Sequence, residues 1–166
     1  FSIMTEQLSP LALQALAVVE ESGAIINANH AHPHTIRHKG RIDLVTETDI
    51  AVEAFLKERL ATLAPQAGFL AEESAEDLSL PDTCWIIDPV DGTTNFAHGL
   101  PLTVTSVAYR LNGEIVLGIV NAPLLRECFI AEKGKGAWRN GERISVSSVT
   151  ACELSLIHIS EPTRQA

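Results

Sequence analysis

"CWIIDPVDGTTNF", residues 84–96, governs how the rest of the chain is read. It opens as Cys84-Trp85-Ile86-Ile87, apolar or aromatic throughout, which suits a strand covered on both faces. At Asp88 the run stops, and a second aspartate, a glycine and two threonines follow within a few positions. Ligands collect where buried strands end, so Asp88 and Asp91 are expected to share one loop. Carboxylates and backbone carbonyls are hard oxygen ligands of the kind Mg²⁺ takes, and two acids three apart on a turn can bracket one ion or share two. Pro89 stiffens the turn between them. Gly92, Thr93 and Thr94 would present backbone N–H groups at a helix start, where an anion is held by unpaired donors. The same letters also spell an ordinary turn, because Asp-Pro opens turns and Asp-Gly closes them. Taken alone, the loop leaves the two readings level.

Counting removes two rivals. An EF-hand loop needs an acid at its twelfth position, and counting from Asp88 or Asp91 reaches Gly99 or Leu102. Phosphatases of the haloacid dehalogenase type use D-x-D, one residue tighter than the spacing here.

The remainder sets bounds. At 166 residues, 46% hydrophobic and 20% charged, the chain can fill one core. A net charge of −9 argues against a nucleic-acid partner and leaves an anionic substrate needing local counter-charge, which a divalent cation could supply. Cys84, Cys128 and Cys152 are too scattered for a disulfide framework or zinc knuckle and fit a reducing cytoplasm. No apolar run reaches the ~20 residues of a membrane span, and no leader pattern opens the chain.

Ser9-Pro10 reads as an N-cap and first helical position, with Leu8, Ala12, Ala15 and Val19 at helical spacing, so a helix is expected over about 10–28. "NANHAHPHTIRHKGR" reads as a solvated loop, its histidines (30, 32, 34 and 38) falling on no helix face. After "DLVTETD" a second helix carries Val52, Leu56, Leu60 and Leu63, with Asp49 in its first turn and Pro65 at its end. "AGFLAEES" reads as a short strand ending at Glu72 and Glu73. "LTVTSVAYRL", "EIVLGIVNA" and "ECFIAEKG" form an antiparallel meander, with Asn112-Gly113 as a hairpin turn.

Three of these stretches, "DLVTETD" (43–49), "FLAEES" (69–74) and "WIIDPVDGTTNFAHGLP" (85–101), resemble in order the motifs of the inositol monophosphatase family of Mg²⁺-dependent, lithium-sensitive phosphatases, and "AEKGKGAWRNGERISVS" (131–147) resembles its later hairpin. Ala71 stands where the family usually has glycine. The resemblance implies an α+β fold, a layered αβαβα sandwich of the inositol monophosphatase and fructose bisphosphatase type. It also implies a phosphomonoesterase of small polyol or sugar phosphates, above all myo-inositol 1-phosphate, with histidinol phosphate, fructose 1,6-bisphosphate and 3′-phosphoadenosine 5′-phosphate as alternatives. Carried onto matching positions, Glu72, Asp88 and the Val90 carbonyl hold one Mg²⁺, and Asp88 with Asp91 contribute to a second. Water is the nucleophile, oriented by Glu72 and Thr93, with Asp49 supporting Thr93, and the N–H groups of Gly92 and Thr93 hold the phosphate. Lys39, with His38 competing, is a weaker basic candidate. The family implies a cytoplasmic homodimer acting on a small phosphorylated substrate, without membrane or nucleic-acid partners. Family members are about a hundred residues longer, so residues 4–157 read as the N-terminal part of such a domain, its C-terminal part missing. Residues 158–166 read as a tail foreign to the family, and the alternative function for the chain as it stands is a non-catalytic metal-binding fragment.

Overall fold

The computed structural model describes residues 7–31, 41–71 and 81–148, the side chains of 31, 41–46 and 71 excepted. Two long helices, α1 (Pro10–Ala31) and α2 (Arg41–Leu63), precede β1 (Gly68–Ala71) and β2 (Cys84–Asp91). A short helix α3 (Thr93–Ala97) leads into β3 (Val104–Leu111), β4 (Glu114–Ala122), β5 (Glu127–Glu132), β6 (Gly136–Arg139) and β7 (Glu142–Ile144). The seven strands form one mixed sheet in sequence order, β1 parallel to β2 and every later pair antiparallel. The architecture is α+β, as the family resemblance implies, and the described residues supply two of its layers.

Helix α1 begins where the sequence places it. The Ala12 N–H donates to Ser9 Oγ at 3.2 Å, and the Ser9 N–H donates to Glu132 Oε2 at 2.8 Å, so two of the donors at the helix start are satisfied, one by a distant strand. Leu8, Ala12, Ala15 and Val19 are all buried. The helix ends at Ala31 rather than near residue 28, so Asn29 and His30 belong to its last turn and not to a solvated loop. Tertiary contacts account for the extra turn: the Asn29 amide donates to the Thr48 hydroxyl of α2 at 2.8 Å, and the His30 ring lies 5.9 Å from that of Phe96. His32, His34, His38 and Lys39 lie outside the described residues.

Helix α2 also differs from its sequence reading. It starts at Arg41, so "DLVTETD" is helical and Asp49 sits more than two turns inside rather than in the first turn. No glycine or proline interrupts residues 41–64, which leaves the backbone nothing to stop it. Val52, Leu56 and Leu60 are fully buried, Leu63 partly so.

By length and composition alone the segment Pro10–His30 could cross a membrane, its mean hydropathy being 1.3, contrary to the reading that no such run exists. Here its apolar face is a core face, with Ala15, Val19 and Ile26 fully buried. α1 packs on β3, β4 and β5, α2 packs on β2, and the helices pack on each other. Beneath them the sheet presents Trp85, Ile87, Val107, Tyr109, Ile119, Ile130 and Trp138. Trp85 and Tyr109 face each other directly across β2 and β3 with ring centroids 4.5 Å apart, a pairing worth about 1 kcal/mol beyond its buried area.

The meander stands as read. Asn112 and Gly113 both take positive φ (51° and 84°), the geometry of a two-residue type I′ turn, and Asn140-Gly141 repeats it between β6 and β7 (48° and 85°). On the sheet face away from the helices Ser106, Ala108, Gly118, Val120, Phe129 and Ala131 line a shallow apolar groove of about 290 Å³ that nothing among the described residues covers.

Candidate active site

Strand β2 does not stop at Asp88 as its sequence suggests; it runs on to Asp91. Asp88 pairs with Ser106 and Asp91 with Val104, so three steps along β2 match two along β3. That mismatch is a β-bulge carrying one extra residue, a device found beside active sites because it re-aims side chains. Its effect follows from pleating. Two residues three apart in a regular strand face opposite sides, but partners two apart face the same side. The bulge therefore sets Asp88 and Asp91 on one side of β2, opposite the side on which Trp85 and Ile87 enter the core.

The residues between the acids pin the bulge. Val90 is 1% exposed and belongs to the hydrophobic core, while the buried Thr105 hydroxyl donates to the Pro89 carbonyl at 2.9 Å. Asp88 is half-buried with Oδ1 shielded from solvent, and Asp91 is exposed. Gly92 then takes φ 88° and caps α3, its carbonyl accepting the Phe96 N–H at 2.9 Å. A Cβ at this position would lie 2.6 Å from the Leu102 carbonyl oxygen, which also accepts the Asn95 amide at 2.9 Å. Glycine is thus required twice, by φ and by clearance. Gly92→Ala should lower stability by about 2 kcal/mol or more, measurable as a drop in thermal midpoint; an unchanged midpoint would show that the turn relaxes freely.

Around this loop the structure gathers part of the expected constellation. Asp88, Val90, Asp91, Gly92 and Thr93 lie on one continuous bulge and helix start. Asp49 is half-buried on α2, which packs against α3, and Thr48 beside it is fully buried. Ala71 lies beside Ile87 in the parallel β1–β2 pairing, so the residues preceding Glu72 and Asp88 are neighbours. Glu72 itself lies outside the described residues. Among the described residues no three His, Cys, Asp or Glu side chains gather as a metal cluster. The donor set of the bulge, two carboxylates on one side with a backbone carbonyl between them, suits a hard divalent cation such as Mg²⁺. Sequence reasoning missed two neighbours. His30 packs on Phe96 with Nε2 buried and, among the described residues, without a hydrogen-bond partner, and the Thr103 hydroxyl beside the Gly92 turn is likewise buried with no partner among the described residues. Neither stands in a motif that would have marked it.

A strand that ends in a pinned acidic bulge and a glycine-capped helix, within a mixed sheet backed by two helices, makes an α+β fold, and comparison with known proteins identifies its family. The chain belongs to the inositol monophosphatase family, whose profile matches residues 7–165. It is 46% identical over 147 residues to an inositol monophosphatase of Dictyostelium discoideum, covering 86% of this chain and 54% of that protein. It is 45% identical over 111 residues to a fructose-1,6-bisphosphatase/inositol-1-monophosphatase of Thermotoga maritima, covering 67% of this chain and 43% of the relative. Among solved structures, a Thermotoga maritima inositol monophosphatase superposes with a TM-score of 0.68 at 38% identity, over 80% of this chain and 52% of that one. The chain spans about half the length of the curated relatives it matches.

Proposed function

We propose that the full-length protein is a Mg²⁺-dependent phosphomonoesterase acting on a small polyol or sugar phosphate, foremost myo-inositol 1-phosphate. The observation that carries this reading is the bulge, which sets two acids three positions apart on one side of β2, with Val90 between them in sequence. In this reading Glu72, Asp88 and the Val90 carbonyl hold one Mg²⁺, and Asp88 with Asp91 contribute to a second. Bound Mg²⁺ supplies an acidified water and charge neutralisation at the phosphate. Glu72 would orient that water and accept its proton, and the Thr93 hydroxyl would help orient it. Asp49 is a positioning residue that acts through Thr93 across the α2–α3 contact. The N–H groups of Gly92 and Thr93 hold phosphate oxygens at the start of α3, where Gly92 is the left-handed N-cap. The proposal extends to a cytoplasmic homodimer with no membrane or nucleic-acid partner, in keeping with a net charge of −9.

The relatives' names include both inositol monophosphatase and fructose-1,6-bisphosphatase, so the test is a panel. Purified full-length protein is assayed for phosphate release from myo-inositol 1-phosphate, histidinol phosphate, fructose 1,6-bisphosphate and 3′-phosphoadenosine 5′-phosphate, with Mg²⁺ and with chelator. Release that is fastest on the inositol ester and abolished by chelator is expected. Turnover unaffected by chelator would defeat the metal assignment, and preference for another ester would move the substrate. Because the chain spans about half of its relatives, a second reading holds for these 166 residues in isolation: a metal-binding fragment without turnover.

A further inference from the structure

On the helix side of the sheet, away from the acidic bulge, a cleft of about 340 Å³ opens between α1 and the turn joining β4 to β5. Glu20, Gly23 and Asn27 form its helix wall, and Pro123, Arg126, Glu127 and Asn140 stand across from them, Glu127 being already paired with Arg139 at 3.7 Å. Gly23 sets the approach: a Cβ there would lie 2.8 Å from Asn121 Nδ2 and 2.9 Å from Pro123 Cβ. The Asn121 and Asn140 side chains are used internally, the first donating to the Val19 carbonyl at 3.1 Å, the second accepting from the Cys128 N–H and donating to the Arg126 carbonyl. Glu20 and Arg126 are different. Neither side chain has a hydrogen bond or ion pair among the described residues, and neither neutralises the other.

Two features mark these charges as more than incidental surface. Partial burial pushes the Glu20 carboxyl above its usual value although the residue is exposed overall, and no cation pairs with it among the described residues. Arg126 takes φ 57°, a left-handed conformation that costs a non-glycine residue about 1 kcal/mol. Among the described residues the other left-handed non-glycine positions are Asn112 and Asn140, for which the conformation is common. An arginine kept where glycine or asparagine would sit more easily is an outlier that points to its side chain. Cys128 is not the reactive group, since burial first and the Glu20 charge second push its thiol up to about 12.

We infer that this cleft binds a small zwitterion, a free amino acid whose ammonium group meets Glu20 and whose carboxylate meets Arg126. A lone cation would leave Arg126 unpaired, and a lone anion would leave Glu20 unpaired while meeting Glu127 and the field of a chain carrying −9. A molecule neutral overall satisfies both walls, and the Asn27 amide offers a further hydrogen bond.

The experiment is an NMR or calorimetric titration of the full-length protein with glycine, β-alanine, 4-aminobutyrate and 6-aminohexanoate, which step the charge separation, against butylamine and butyrate as single-charge controls. The expected result is saturable binding of one amino acid at a Kd of about 1 mM, about tenfold weaker for either control. Glu20→Gln and Arg126→Gln should each weaken it about tenfold without moving the thermal midpoint, because both side chains are exposed. Saturation by none of the four amino acids, equal binding of butylamine or butyrate, or binding that survives both substitutions would overturn the assignment.

Discussion

Asp88→Asn in the full-length protein should reduce phosphate release by about 10³-fold, whereas Asp49→Asn should cost about 10- to 100-fold. The difference comes from position. Asp88 stands at the start of the bulge, on the same side as Asp91, with one carboxylate oxygen shielded from solvent, and the proposed mechanism gives it contact with both cations. Losing it removes a negative charge from each, along with water activation and charge neutralisation at the phosphate, terms worth several kcal/mol together. Asp49 stands one helix away, on the element that packs against α3, and in the proposed mechanism it acts only by holding Thr93. The Mg²⁺ dependence of the rate separates the roles: Asp88→Asn should demand more Mg²⁺ for half-maximal rate, and Asp49→Asn should leave that midpoint near the parent's. Equal losses with identical Mg²⁺ dependence would show that the two residues have been given the wrong roles.

The second large effect concerns the 166-residue chain in isolation, which should self-associate at micromolar concentration and show negligible turnover. The groove lined by Ala108, Val120 and Phe129 lies open on the sheet face away from the helices, and Ile115 and Val120 are 51% and 36% exposed. An uncovered apolar face on a sheet is worth ~25 cal/mol per Å² when something covers it, and exposed patches beyond a few hundred Å² seldom remain bare. In the longer relatives further chain is available for that purpose; here a second copy is the nearest substitute. Light scattering should therefore report oligomers, and the double change Val120→Lys with Phe129→Glu should return the chain toward a monomer. A monomer with a sharp unfolding transition and relative-like turnover before any substitution would refute both parts.

The sequence made the local features legible and left the long-range ones hidden. Ser9-Pro10 announced the start of α1 because capping is a property of a few adjacent residues, and Asn112-Gly113 announced its hairpin because two consecutive positive φ values demand those residue types. The acidic loop was legible as a place. Its geometry was not, because a bulge is defined by pairing with a partner strand, and nothing within "DPVD" reveals that Ser106 and Val104 will oppose it. The last turn of α1 escaped for a related reason: Asn29 and His30 are polar residues in an unpatterned stretch, and their partners, Thr48 and Phe96, come from elsewhere in the chain. Helix α2 begins earlier than its apolar stripe because that stripe, from Val52 on, is the only periodic signal read from this stretch of sequence, and polar residues interrupt the turns before it.

The hydrogen bond from the Ser9 N–H to Glu132 bears on how this protein is born. The first helix leaves the ribosome early, yet the carboxylate that completes its cap and the asparagine that holds its Val19 carbonyl follow 123 and 102 positions behind their partners. At ~5–20 residues per second, translation needs roughly 5–25 seconds to deliver them. Throughout that interval a 22-residue helix with an apolar face has no sheet to dock on. The meander can close as each hairpin emerges, since its contacts are between neighbours in sequence, so docking of α1 is the step that must wait. The nascent chain therefore spends its longest vulnerable period with its most hydrophobic helix exposed, and it is then, rather than during sheet formation, that a holding chaperone would have most to do.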